Sequence, residues 1–465
     1  MDKDQQIKRQ RFKVIVSEVI MTLSVVITVA ILALVVSGYW LNSDFKIERQ
    51  GMLQISSIPT GANVEVDGES SWFQRTNTSK ILASGAHDII LSKDGYDTWS
   101  KNITISEGLL YRVAYPRLFL KNREKETLLR LTGSTAAFVS PNHEAMLVAN
   151  DTTEWTLINL DRTELEPKKI DISSAFSNIS IAEDAAAGLF TGEIISAVWN
   201  RDNSRILIHA TSDALSEWVL LDAKNPTNSL NITKEFGTNF DHVDILDNSA
   251  NNLLSISDHK LQKIDVSSKS ISAVIVDQVN CYSFFKNEVI FSAKNNEDKS
   301  YIGLVKFGDN KTTVLEGLDA PARAFISRFY EDDFIIVLSE NHLQVYKKDN
   351  LEEVADLELS FVPENITVGR DGSFVLLNAA EKIATLDMET LEITDWSADG
   401  DFHWLDEHMI YTTLDGELAV YDYDGLNKRY LAKNVSSHFP VALTANKWLY
   451  YFSDDELMRE WLVAR

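Results

Sequence analysis

Three patterns of apolar and polar positions follow one another along this chain. From Val19 to Trp40 it is apolar and uncharged. That run of about 22 residues is enough to cross a roughly 30 Å hydrocarbon core as a helix. Between residues 51 and 120 the apolar positions alternate in short runs, broken by Gly, Pro and Asp, which predicts strands joined by tight turns. From about 128 to 463 one unit recurs: an apolar strand, a polar turn, a strongly apolar strand, a second turn, and a strand ending in Asp. The predicted architecture is an N-terminal transmembrane helix followed by an all-β ectodomain.

The flanks of the apolar run orient it. Lys3, Lys8, Arg9, Arg11 and Lys13 precede it against Asp2 and Asp4, and Tyr39 and Trp40 close it. Basic residues stay on the cytoplasmic side and aromatic ones favour the interface, so the N-terminus is expected inside and the ectodomain outside. A cleaved signal peptide is the alternative, with small residues at Val36-Ser37-Gly38, although secretory apolar cores are shorter. Glu18, the one charge near the run, is expected to snorkel to the interface. The expected division is a tail over 1–13, a helix over 14–40, a linker over 41–50, a β-module over 51–120 and a repeat domain over 121–465.

In the β-module, Val64-Glu65-Val66-Asp67-Gly68 reads as a strand entering a tight turn, and Gly85 to Leu91 followed by Lys93-Asp94-Gly95-Tyr96 as a second strand and turn. Ile103-Thr104-Ile105 and Tyr111-Arg112-Val113 close the unit. Pro59-Thr60-Gly61-Ala62, Val64, Val66, Asp67, Gly68, Gly85, His87, Gly95 and Tyr96, with Trp99 nearby, resemble the PEGA domain family, Thr60 standing where the family motif has Glu. The resemblance implies a small extracytoplasmic β-sandwich of prokaryotic envelope proteins, without catalytic chemistry. Tyr96 and Trp99 read as core plugs, and His87 as a structural histidine without metal partners at suitable spacing.

The later repeat shows in AAFVSPNHEAMLVANDTTEWTLINLD, ISAVWNRDNSRILIHATSDALSEWVLLD and HVDILDNSANNLLSISDHKLQKID, and in later, weaker copies. Their closing aspartates are Asp161, Asp222, Asp265, Asp387 and Asp422. A period near 40–45 residues with about four strands per unit is the pattern of a β-propeller. The count gives seven or eight blades, with an insertion or short helix over 173–192. A pair of β-sandwiches is the alternative. The aspartates read as turn formers, and Asp422-Tyr423-Asp424-Gly425 as a hairpin turn too short for a calcium loop.

Composition narrows the function. The chain has 69 acidic and 44 basic residues, a net charge of −25, which argues against nucleic acid, since phosphate binding needs a concentrated basic surface and none is visible in the sequence. The single cysteine, Cys281, permits no internal disulfide and reads as a buried small hydrophobe. Common catalytic, nucleotide and zinc motifs are missing. No catalytic, cofactor or metal residue is singled out, no cofactor is expected, and the ligand-binding residues are unknown. The acidic runs Glu331-Asp332-Asp333 and Asp454-Asp455-Glu456 lie at predicted turns, where solvated charge is the default. The expected function is a non-enzymatic, membrane-anchored binding or scaffold protein of the prokaryotic cell envelope, with a protein or glycan partner. The alternative is an envelope glycan hydrolase or lyase with carboxylates in the propeller channel.

Overall fold

The structure, a computed structural model, describes residues 3–36, 39–41, 47–176, 192–212, 215–295, 297, 299–307, 309–315 and 322–464. Two compact units divide between Asn122 and Arg123.

The first unit begins with helix α1 (Lys3–Val36). Its segment Ile15–Leu34 is 20 residues long with none of it buried inside the protein. At about 1.5 Å per residue it matches the hydrocarbon thickness of a bilayer. Thr22 and Thr28 donate to the carbonyls of Glu18 and Ser24, both at 2.8 Å, so their hydroxyls are satisfied within the helix. The helix stops short of the expected span, after two β-branched residues of weak helix propensity. Tyr39–Leu41 instead form strand β1, paired antiparallel with β2 (Ile47–Ile55). Tyr39 stands opposite Arg49, whose guanidinium lies 5.2 Å from the tyrosine ring. The expected linker is therefore strand from Ile47 onward, because β1 offers its backbone groups a partner. Ser37 and Gly38, of the alternative cleavage site, lie outside the described residues.

Six more strands complete this unit: β3 (Asn63–Val66), β4 (Glu69–Arg75), β5 (Thr78–Ala83), β6 (Gly85–Ser92), β7 (Trp99–Ile105) and β8 (Leu110–Val113). One sheet runs β1-β2-β5, with β8 parallel to β2, and the other runs β4-β3-β6-β7. Alternate positions point inward: Leu53, Ile55, Val64, Ile89, Leu91, Ile103, Ile105 and Val113 are almost fully buried, with Trp99 among them and Tyr96 at the margin. Asp67 and Gly68 both have positive φ, 52° and 78°, the two-residue turn that matches strand twist.

The second unit holds eight four-stranded antiparallel sheets among the described residues. They span 134–171, 193–231, 242–271, 279–315, 323–358, 365–397, 403–433 and 442–461, numbered here as blades 1–8 with strands a to d in chain order. Blade 8 supplies only three strands from its own stretch. Its fourth is β9 (Lys125–Arg130), from the start of the unit, which pairs with Glu456–Trp461. Apolar clusters lie between neighbouring sheets. Leu147, Trp155, Ile206 and Ile208 join blades 1 and 2; similar clusters join each pair through blade 7. The Tyr411 hydroxyl accepts from Val441 N–H at 3.2 Å between blades 7 and 8. Met146, Ile158, Tyr450 and Phe452 then join blade 1 to blade 8. The ring is closed, an eight-bladed β-propeller. Covered on both faces, the b strands read as continuous apolar runs, such as buried Ala145–Ala149, where a half-exposed strand would alternate.

The repeated aspartates shape the turns after strand c. Asp222 accepts from Lys224 and Asn225 N–H at 2.9 and 2.8 Å, Asp265 from Ser268 N–H at 2.7 Å, and Asp387 from Glu389 N–H at 2.8 Å. Asp422 accepts from the Asn427 amide at 2.8 Å. Asp161 lies just past strand c of blade 1. These are side-chain-closed turns. Most of the expected insertion, 177–191, lies outside the described residues.

A candidate recognition site at one end of the propeller

In each blade the a–b turn and the start of strand a lie at opposite ends of the sheet, so the ring has two distinct ends. Strands a of neighbouring blades approach one another, which places their side chains nearest the axis.

At the end where strands a begin, four rings from three blades form a ladder. His209, on strand b of blade 2, stacks on Trp218 across the sheet, with centroids 4.2 Å apart and planes 3° from parallel. His242, which opens strand a of blade 3, meets the edge of Trp218 at 5.8 Å and of Tyr282, from blade 4, at 5.7 Å. Asp244, two residues along the same strand and therefore on the same face, holds His242 Nε2 at 2.9 Å.

The electrostatics give these groups different characters. The Asp244 hydrogen bond outweighs burial and raises the His242 pKa, so this imidazole holds its proton more readily. Its side chain is 52% exposed and open to a ligand. Burial, with the neighbouring His242 charge, lowers the His209 pKa and favours the neutral ring, which contacts the Ser216 hydroxyl at 2.9 Å. Burial and then the Asp244 charge raise the Tyr282 phenol and keep it protonated. The arrangement presents an exposed, carboxylate-backed imidazole beside aromatic rings. When protonated it can donate a hydrogen bond to an anionic or polar group, while Trp218, 2% exposed, backs it from the core.

The opposite end is built from a–b turns that brace one another. The Asn203 amide donates to Asn142 Oδ1 at 3.0 Å and the Asn200 amide to the Asn248 carbonyl at 2.8 Å, tying blades 1, 2 and 3. Burial first, then the Arg370 charge, lowers the His143 pKa to about 4, so its ring is neutral against blade 8. Asp406, Glu407 and His408 bring ligand atoms within 4.8 Å of one another. However, Asp406 Oδ1 accepts from the N–H groups of His408 and Met409 at 2.8 and 2.7 Å, and Glu407 pairs with Arg370 at 3.5 Å. These contacts make the group a strut between blades 6 and 7.

The residues weighed from sequence are dispersed. Glu331-Asp332-Asp333 lies at an a–b turn and Asp454-Asp455-Glu456 at a b–c turn, at opposite ends of the ring. Asp333 is held by Arg328 at 2.6 Å and Lys348 at 3.2 Å, and Glu456 by Arg130 at 2.5 Å. Asp422 to Gly425 forms a tight turn, with Gly425 N–H donating to the Asp422 carbonyl at 3.0 Å. Cys281, half-buried on strand a of blade 4, has its thiol pushed up by burial. His209, His242, Asp244 and Tyr282 were not singled out. The legible signal was His242-Val243-Asp244, since an i, i+2 pair on a strand shares one face.

His87 has both ring nitrogens engaged: Nδ1 lies 2.6 Å from Asp67 Oδ2 and Nε2 2.9 Å from the Ala83 carbonyl. Both partners are acceptors, so the imidazolium alone can donate to both. Burial is the largest single influence and opposes that charge, but the Asp67 hydrogen bond, the Ala83 carbonyl and the Asp67 charge together outweigh it and raise the His87 pKa. Asp67 is lowered, by His87 first and then by Asp88 N–H. The His87 contribution is complete below about pH 6.5, the unfolded value, and fades as pH rises through the raised folded value. Urea midpoints of the wild-type module transition, less those of His87→Gln, should therefore shrink from pH 6 to pH 9. A difference independent of pH would refute the pairing.

Residues 50–117 match the PEGA domain model. No curated protein matches the chain in sequence. Among solved structures it is similar to dihydro-heme d1 dehydrogenase NirN in complex with DHE, at 12% identity and a TM-score of 0.42, covering 64% of this chain. The match spans 66% of the NirN chain, just under two thirds of its length. The computationally designed Ika8 protein gives 12% identity and 0.45, over 73% of this chain and 100% of that one. Hsv2 from Kluyvelomyces marxianus gives 6% and 0.43, over 63% and 93%. Likeness at this level carries no argument about ligand or activity. What the comparisons establish for this chain is a PEGA-like module.

Proposed function

We propose that this chain is a membrane-anchored, extracytoplasmic binding or scaffold protein of the prokaryotic cell envelope. The helix holds it to the bilayer, the PEGA-like module stands next to the helix in sequence, and the propeller engages a protein or glycan partner at the His242 end. The observation that carries the reading is Ile15–Leu34, which is apolar over a bilayer's thickness and has none of its surface covered by the protein. The basic N-terminal flank supports an outside position for the propeller. The two acidic runs stand at opposite ends of the ring, so they do not make one carboxylate pair between them.

Cross-linking of the full chain in native membranes tests this reading. The expected result is an envelope protein or glycan conjugate that falls at least tenfold in the double variant His242→Ala, Asp244→Asn. Protease added to intact spheroplasts should remove the propeller. A protected propeller, or a yield indifferent to the double variant, counts against the proposal.

A further inference from the structure

We infer that the channel mouth binds a carboxylate of an acidic glycan at the start of strand a of blade 4, between His242 of blade 3 and Arg323 of blade 5. This rests on the reading that the His242 end meets the partner, and names the chemistry of that partner.

Three neighbouring inner strands put donors at one level. His242 pairs with Ile256, one residue short of the end of its strand b (Asn252–Ser257), and Arg323 with Leu338, one residue short of the end of Asp332–Ser339. Between them Val279 pairs with Ala293, again one short of the end of Glu288–Lys294. Asn280, which follows, is the extra residue of a β-bulge, since pairing resumes with Cys281 opposite Ser292. A bulge re-aims a side chain out of the ladder, and Asn280 is exposed beside buried Val279. Contacts tie the three strands together at this point. The Tyr282 ring lies 5.7 Å from His242, and the Cys281 thiol donates to the carbonyl of Ala322, the residue before Arg323, at 3.5 Å.

The flanking donors have capacity left for a ligand. Asp244 occupies Nε2 of His242, and Nδ1 has no protein partner among the described residues. Held in this way, Nδ1 accepts a hydrogen bond when the ring is neutral and donates one when it is protonated. Arg323 is exposed, and its Nη1 and Nη2 donate to the carbonyls of Glu364 and Pro363 at 2.8 and 2.6 Å. Those partners are uncharged, and among the described residues no carboxylate pairs with the guanidinium. Its charge is therefore left for an oxyanion. Nearby acids are turned to main chain: Asp241 accepts from Asp258 N–H at 3.0 Å and Asp277 from Gln278 N–H at 2.9 Å. Glu193 stands on strand a of blade 2, on the far side of His242 from Arg323.

The neighbours of His242 leave it as the proton-linked group. It faces Asp244 on its own strand, the neutral His209 ring of blade 2 and the protonated Tyr282 phenol of blade 4. The ligand carries carbon beside its charge, because Ile195, the bulged residue of blade 2, is 53% exposed on the other flank of His242. Asn280 and Asn365 add exposed amides, which both donate and accept and so match sugar hydroxyls.

Calorimetric titration of the full chain in detergent micelles tests this with four probes. They are a hexasaccharide of alternating glucuronate and N-acetylglucosamine, the neutral N-acetylglucosamine hexamer, hexaglutamate and inorganic phosphate. At pH 6 the glucuronate hexasaccharide should bind about tenfold tighter than each of the others. Arg323→Gln and His242→Gln should each weaken it about tenfold, while Arg130→Gln, at an exposed arginine of β9, leaves it unchanged. Urea midpoints check that each variant keeps the propeller intact. Glucuronate stays charged from pH 6 to pH 9, so a fall in wild-type affinity over that range follows His242 and should vanish in His242→Gln. Equal binding of the neutral hexamer overturns the carboxylate, and equal binding of hexaglutamate or phosphate overturns the glycan. A loss in Arg130→Gln as large as in Arg323→Gln overturns the site. Each of these leaves the partner at the His242 end standing, since that reading fails separately, when cross-linking is indifferent to the double variant.

Discussion

Arg459→Ala should lower the stability of the propeller by about 2–3 kcal/mol, because it removes a buried guanidinium, with its charged hydrogen bonds and packing, from the seam of the ring, although its partner Glu126 is 39% exposed. The Arg459 side chain is 5% exposed. Its Nε donates to Glu126 Oε1 at 2.7 Å and its Nη1 to the Arg162 carbonyl at 3.2 Å. The guanidinium lies 5.4 Å from the Trp448 ring and 4.9 Å from the Trp461 ring, contacts that add cation–π attraction in a desolvated setting. Beside it, Arg123 Nε donates to Glu460 at 2.5 Å and Arg123 Nη2 to the Leu431 carbonyl at 2.8 Å. These groups pin β9 to blade 8. Urea denaturation should show the shift, with faster proteolysis near β9. Arg130→Ala removes a pair whose arginine is 73% exposed and should leave the midpoint unchanged. Equal effects of the two variants would mean that the buried guanidinium does not hold the seam.

Gly372→Ala should be the most damaging single-methyl addition in the ring. Gly372 closes the a–b turn of blade 6 with φ +78°, and a Cβ there would lie 1.9 Å from the Arg328 carbonyl oxygen of blade 5. The obstacle is backbone, so no side chain can swing aside. The left-handed conformation adds about 1–2 kcal/mol for a residue with a Cβ, and overpacking about 1–3 kcal/mol. A loss of about 3 kcal/mol is expected from the urea midpoint. Gly68→Ala provides the contrast: φ is +78° there too, but nothing lies within 4 Å of the added carbon. Its loss should be near 1 kcal/mol. If both variants lose the same amount, the close approach of blades 5 and 6 is not what the glycine serves.

The parts of the fold legible in sequence were those fixed locally. Asp67-Gly68 announced its turn because few residues adopt two successive left-handed conformations. Asp222, Asp265 and Asp387 marked their turns because their side chains bond main chain two or three residues on. The blade repeat was visible because every b strand meets the same environment, covered on both faces. The strand β1 was not legible, since its partner is a segment that reads as linker. Nor was the completion of blade 8 by β9, a pairing between distant parts of the sequence. The candidate site was hidden for a similar reason. His209, His242 and Tyr282 belong to three blades and meet only through the curvature of the ring, and the short signal His242-Val243-Asp244 has no distinguishing chemistry alone.

The seam also sets an order of events. Glu126 and Arg459 are 333 positions apart, and β9 emerges before any blade is made while its partner strand emerges after seven are complete. If the ectodomain crosses the membrane from its anchor end onward, β9 waits through nearly the whole of that passage as an unpaired edge, open to pairing with the wrong strand. A chain cut short before Glu456 could build seven blades and still present that edge. On that condition ring closure would report that translocation has finished, and an incomplete chain would be marked by its exposed β-edge.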